Sequence, residues 1–497
     1  MAPNYAAWSK EDLIARLTDL ELRIKSDKTL VSPPRRGRPF HFHKHPVRKI
    51  AVKFCYSGWE YNGLAHQAIP TPLPTVEDVL FQAFAKSRLV DPDAGFEGCG
   101  WEKCGRTDVG VSAAGQVVSL WVRSALPGDS TEPLNTSRSE AAHEDLSSQE
   151  AQSTLDATPE TNEDSDSDSA FPGLIDEPPS NSSMSPAREQ QELHYALALN
   201  KALPPTIRVL AWSPVSPDFS ARHNCLHRHY KYFFTSRGLD VALMQQAASY
   251  LVGLHDFRNL SKLDPSKQLK AFHRRILRAE ISPAAGQGNG QLYVFDLVGS
   301  AFLYHQVRHI MAVLLLVGAG LEPPSIIPTL MNVDGTETSA SGSPLLETVD
   351  RKPVYEMADG LPLMLWDCAF ADSDVQWQTD DGFANTGLPS DLVHKLDSVY
   401  QRSLIQTTIE AHFLVAADQY RPRTGDTTPA ARVPLSDTPL PGVPLGGGSY
   451  RRAAKYVPLL SRQRLDHVEV ANERWRNGKG SRRGERPDKH PREDDDE

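Results

Sequence analysis

The stretch from Leu126 to Gln190 limits what this chain can fold into more than any other part of it. It is rich in Ser, Glu, Asp and Pro, includes Glu163-Asp-Ser-Asp-Ser-Asp168, and holds fifteen acidic residues against two arginines. Such a composition cannot bury enough apolar surface to offset the entropy lost on ordering it. We therefore expect an acidic disordered insertion over 126–190 that divides the folded part of a 497-residue chain in two. The insertion also conceals the charge of the rest. The whole chain is at −10 and the insertion at −13, so the remainder is at +3 and its basic residues are clustered. Arg35 to Lys53 holds seven Lys and Arg with no acid, Arg258 to Arg278 seven with one, and Arg451 to Arg492 thirteen with five. Runs of this kind are either solvated faces or phosphate contacts.

Strand and helix patterns alternate on both sides of the insertion. Before it come a strand over Lys49–Tyr56, a helix opened by Thr75-x-x-Asp78 with Val76, Val79, Leu80, Ala83 and Phe84 on one face, and a strand over Gln116–Arg123. After it come a helix over Glu192–Ala202, strands over Ile207–Trp212 and His227–Phe234, a helix over Asp240–Val252, a strand over Leu292–Val298 and a helix over Tyr304–Val317. Two α+β batches sharing sheet area are expected. At the N-terminus, Leu13, Leu17, Leu20 and Ile24 form an apolar seam that suits either a short coiled coil or a helix docking on its own body.

The expected organisation is an N-terminal helix in 1–30, a basic linker in 31–47, a first half in 48–125, the insertion, and a second half in 191–372. A C-terminal extension in 373–422, a low-complexity linker in 423–448 and a basic tail in 449–497 complete it. Five scattered cysteines argue for a reducing compartment and against a disulfide scaffold. No apolar run reaches the length of a membrane span and no secretory h-region opens the chain.

Three segments stand out chemically. In Cys104-Gly-Arg-Thr-Asp-Val-Gly-Val-Ser-Ala-Ala-Gly115, glycines at 105, 110 and 115 surround Arg106 and Asp108 ahead of an apolar strand, which is either a plain turn or a place where a ligand comes close. In Arg228-His-Tyr-Lys-Tyr232, strand alternation puts Arg228, Tyr230 and Tyr232 on one face, suited to stacking a base and holding its phosphate, or to packing. In Phe302-Leu-Tyr-His-Gln-Val-Arg308, an arginine sits in an otherwise apolar helix and so requires a carboxylate partner. His223-x-Cys225-x-His227-x-His229 offers four potential ligands on one strand face. Zinc sites draw ligand pairs from separate segments, none is evident here, and we expect no metal.

Together the three segments resemble the TruA family of tRNA pseudouridine synthases. The resemblance runs from about Arg48 to Cys368 outside the insertion and includes Asp218-Phe-Ser-Ala-Arg222 and Gly253-Leu-His-Asp-Phe-Arg-Asn259. It is closest to the eukaryotic branch acting on tRNA positions 38 and 39. The pointers are Lys53-Phe-Cys-Tyr-Ser-Gly-Trp-Glu-Tyr-Asn-Gly-Leu64, Ser112 in place of a bacterial His, Leu203-Pro-Pro-x-Ile-Arg-Val-Leu-Ala-Trp212 and the tail from Tyr456 to Trp475.

The resemblance implies a TruA-like α+β fold with two ferredoxin-like (RRM-like) halves sharing a mainly antiparallel sheet, the active-site cleft lying between them. It implies Asp108 as nucleophile, Arg308 as its ion-pair partner, Arg106 in base flipping and Tyr230 as a substrate contact, to which strand alternation adds Arg228. Lys53, Arg222, Arg258, Arg274 and Arg275 are the expected contacts to the RNA backbone. No cofactor is implied. The implied partner is tRNA, bound by a homodimer in the nucleus and cytoplasm. A catalytically silent tRNA-binding or RNA-folding chaperone on the same fold is the alternative, which would have no need of Asp108.

Overall fold

The computed structural model describes residues 40–126, 192–284, 292–335, 346–379, 391–418, 420, 442–452 and 455–480. The expected N-terminal helix and the acidic insertion lie outside the described residues, as do most of the two linkers.

Strands β1 (Val47–Tyr56), β2 (Glu102–Lys103), β3 (Ser112–Arg123), β4 (Ile207–Pro214), β5 (His227–Thr235), β6 (Gly253–Asp256), β7 (His273–Pro283), β8 (Leu292–Gly299) and β9 (Leu363–Ala369) form one nine-stranded sheet. Its order is β4-β1-β3-β9-β5-β8-β7-β6, with β2 added on β3. The ladders are antiparallel except at β3–β9, which is parallel and pairs Ser112 with Met364 and Ala113 with Leu365. This is a mixed α/β architecture with a large, mainly antiparallel sheet, as the alternation and the family resemblance together led us to expect. The set β4-β1-β3, which β4 joins from after the insertion, meets the set β9-β5-β8-β7-β6 at that short parallel seam, and the Asp108 loop enters β3 beside it.

Helices α1 (Val76–Lys86), α2 (Tyr195–Ala202), α3 (Val241–Ser249), α4 (Gln306–Gly318) and α5 (Ile326–Met331) help enclose the core. Thr75 caps α1 as its spacing predicts: its hydroxyl oxygen accepts from the Asp78 amide and its hydroxyl donates to the Asp78 carboxylate. Helix α4 is apolar nearly all round because it is buried nearly all round, from Ile310 to Gly318. A Cβ at Gly318 would fall 2.5 Å from Met244 Sδ, so this glycine lets α3 and α4 approach closely. A two-stranded ribbon, β10 (Val443–Gly446) and β11 (Ser449–Arg451), packs near α4.

Several boundaries differ from expectation for local reasons. Strand β3 starts at Ser112, and Gly115 lies inside it because Trp366 O and Asp367 Oδ1 occupy the space a side chain would need. Helix α2 starts at Tyr195 because the Glu192 carboxylate is engaged by Arg48, Ser124 and the amides of Ala125 and Leu193. Gly253 does more than stop α3, since at φ +126° it opens β6. Strand β7 was hidden in a basic run because a bulge between Ile276 and Arg278 breaks its period-two pattern. The pattern also missed helix α6 (Asp391–Asp418), whose Val393, Tyr400, Leu404, Ile405 and Phe413 are exposed. No helix among the described residues is long and apolar enough to cross a membrane.

Candidate active site

The loop carrying Asp108 is held from below by β1 and the turn after it. The hydroxyls of Tyr56 and Thr107 bond at 2.5 Å, the Leu64 amide donates to Thr107 O, and the Gly58 amide donates to Ser112 Oγ at 3.0 Å. A Cβ on Gly58 would lie 2.0 Å from Val111 O, so only glycine lets the two segments meet this closely. Ser112 thus has a local task, accepting from Gly58. Gly110, at φ +83°, turns the chain back into β3.

Above the loop, α4 and the residue just before it each supply one group to the Asp108 carboxylate. Arg308 Nη1 lies 3.2 Å from Oδ2 and His305 Nε2 lies 3.1 Å from Oδ1. Arg308 is aimed by its own Nε, which donates to Ala358 O at 2.8 Å. The carboxylate partner that a buried arginine in an apolar helix demanded is Asp108. Burial pushes the Asp108 carboxyl up, but the hydrogen bond and charge of His305, followed by those of Arg308, outweigh it and hold the group below the ordinary carboxylate range.

His305 was not singled out from the sequence. It sits at φ +58° just before α4, an uncommon conformation for a residue with a side chain. The available signal was its spacing: residues 305 and 308 fall on one face of a helical turn, so a carboxylate that meets one can meet both.

Arg106, Asp108, Tyr230, Phe302, His305 and Arg308 line one cavity that is open to solvent. Arg106 is exposed at its mouth. Tyr230 reaches it from β5 and meets Phe302 edge to face, with ring centroids 5.0 Å apart. Arg228, Tyr230 and Tyr232 do share the buried face of β5. Arg228 is 9% exposed, and its guanidinium donates to the carbonyls of Cys104, Ser300 and Arg222.

The five expected backbone contacts are not gathered at this cavity. Arg258 makes a two-pronged ion pair with Asp256 and Lys53 pairs with Asp367, so both have protein partners. Arg222 is half-buried. Arg274 and Arg275 start β7 near the sheet edge, with Arg275 exposed and Arg274 Nη1 donating to His273 O. Of the four-residue motif around Cys225, Cys225 itself joins a cluster with Cys104 and Cys368.

Comparison with known proteins bears on this arrangement. The family profile described as tRNA pseudouridine synthase matches residues 247–371, the part that carries Arg308. The chain is 34% identical to the tRNA pseudouridine(38/39) synthase of Saccharomyces cerevisiae over 96% of its own length and 93% of that protein's. To the human protein of the same name it is 36% identical over 74% of its length and 66% of the relative's. The tRNA pseudouridine synthase A of Methanosarcina mazei is 26% identical over 60% of this chain and 80% of that protein. A likeness of one third that runs the length of the yeast protein, together with the family profile, assigns the chain: it belongs to the TruA family of tRNA pseudouridine synthases, alongside the members named tRNA pseudouridine(38/39) synthase.

Proposed function

We infer that this protein isomerises uridine to pseudouridine in the anticodon stem-loop of tRNA, at positions 38 and 39. The observation that carries this reading is a carboxylate kept ionised by a His305 hydrogen bond and the Arg308 guanidinium at the floor of a cavity walled by Tyr230, in a chain of this family. The reaction breaks the bond between the sugar anomeric carbon and uracil N1 and joins the same carbon to C5. The proton lost from C5 is balanced by one gained at N1, so no atom is added or removed. The base must leave its stack to be turned. Asp108 acts as nucleophile toward the anomeric carbon or the uracil ring, and its depressed pKa supplies the anion that this requires. Arg308 and His305 orient it. Arg106, exposed at the mouth, fills the space left by the flipped base, and Tyr230 packs on the uracil and assists removal of the proton from C5.

The two sets of strands that meet at β3–β9 are read as two ferredoxin-like halves. The working unit is a homodimer that embraces one tRNA, in the nucleus and cytoplasm. The test is Asp108→Asn, which keeps shape and loses the nucleophile. Single-turnover pseudouridine formation should vanish while tRNA affinity holds, and residual turnover within about tenfold of the unsubstituted enzyme would reject the assignment.

A further inference from the structure

Cys104, Cys225 and Cys368 come from three separate segments: the strand-to-loop junction four residues before Asp108, the turn leading into β5, and β9. Their sulfurs all lie within 4.8 Å of one another. A zinc ion about 2.3 Å from each of three thiolates would hold them about 3.8 Å apart in tetrahedral geometry, so contraction by no more than about 1 Å completes the arrangement. Cys104 and Cys368 are 1% and 2% exposed, whereas Cys225 is half-buried and leaves a way in.

A second feature points to the same place. Arg228 is buried and, among the described residues, pairs with no carboxylate; its N–H groups donate to backbone carbonyls, including that of Cys104. A buried guanidinium without a counter-ion is costly. Three thiolates around a divalent cation carry one net negative charge, which Arg228 neutralises; a monovalent cation would leave the buried site anionic.

We propose that Cys104, Cys225 and Cys368 bind one zinc ion, with an exchangeable fourth ligand, as a structural clip beneath the catalytic loop. The clip joins the segment leading to Asp108 to strands β5 and β9, across the seam where the two sets of strands meet. Zinc entry displaces the thiol protons, so binding weakens as pH falls. The ion touches no substrate. Its effect on the reaction is to hold the Asp108 loop in place.

The test uses the full chain purified under reductant, loaded with equimolar zinc and passed into metal-free buffer. Elemental analysis should find one zinc per chain, and cobalt in its place should give thiolate-to-metal charge-transfer absorption with the visible bands of a tetrahedral site. Cys225→Ser and Cys368→Ser should each lose zinc at least tenfold. Cys99→Ser should retain it, since Cys99 Sγ donates to Phe96 O outside the cluster. If Cys368→Ser does not fold, the half-buried Cys225→Ser and the cobalt spectrum of the unsubstituted protein still decide. The proposal is overturned if no zinc is retained and cobalt shows no thiolate band, or if both variants keep their zinc. A non-reduced protein two hydrogens lighter and free of metal would equally overturn it, because the trio would then be a disulfide with a spare thiol.

Discussion

Arg308→Leu tests the electrostatic core of the site. Opposite charges about 3 Å apart at an effective dielectric of about 20 attract by about 5 kcal/mol. The observed separation is 3.2 Å, but the two side chains are 13% and 26% exposed and Asp108 keeps His305. Solvent screening and that second partner reduce the coupling to about 1–3 kcal/mol. The substitution also strands Ala358 O, which costs about 1 kcal/mol more. Arg308→Leu alone should therefore destabilise by about 2–4 kcal/mol, whereas on an Asp108→Asn background it should cost only the Ala358 share. Denaturant unfolding of the two single variants and the double variant measures this directly.

The same pair sets a pH dependence. The folded-state pKa of Asp108 is depressed, so its stabilisation is present above the unfolded carboxylate pKa and is lost as pH falls through the folded value. Without Arg308 the folded pKa rises, and the acid limb of the single-turnover rate should move to higher pH. A coupling energy below about 0.5 kcal/mol together with an unmoved acid limb would refute the argument.

Other outcomes follow from particular contacts. Gly58→Ala should displace the catalytic loop, because its Cβ would fall 2.0 Å from Val111 O; a loss of about 2 kcal/mol or more and a lower kcat are expected, and unchanged melting would refute the close approach. Lys352 is buried against His309 and Ser261 O, and burial first, then Lys262, lowers its pKa from 10.5 to about 7. The unfolded chain then binds more protons between those values, so stability should decline as pH falls from about 10.5 to 7. Lys352→Met should flatten that slope in urea titrations. Replacing Arg274 and Arg275 together should reduce the salt dependence of tRNA binding and raise KM far more than it lowers kcat; a fall in kcat at constant KM would exclude a positioning role for this edge.

Much of the site was legible because its signals are local. Glycines around Asp108 announced a tight loop, Thr75-x-x-Asp78 announced a helix start, and an arginine in an apolar helix required an anion wherever it was buried. Periodicity likewise put Arg228, Tyr230 and Tyr232 on one face, and all three are on the buried side of β5. What periodicity cannot say is which objects lie across that face. Across that face Arg228 meets the Cys104 carbonyl, β5 running two strands from β3.

By itself, then, the sequence determined the elements with regular periodicity (though not β6, β7, β9 or α6), the need of Arg308 for a carboxylate, and the family resemblance of three short segments. The resemblance named Asp108 as that carboxylate, and the fold carries it to Arg308 across 200 residues; the fold alone decided that His305 turns into the same cavity and that three scattered cysteines share one point. The reason is one of range. Caps, turns and alternation arise between residues a few positions apart, whereas the pairing of a buried charge or the meeting of three sulfurs depends on strand order. That order, with β9 inserted between β3 and β5, is set by the burial of the whole sheet and appears in no single stretch of chain.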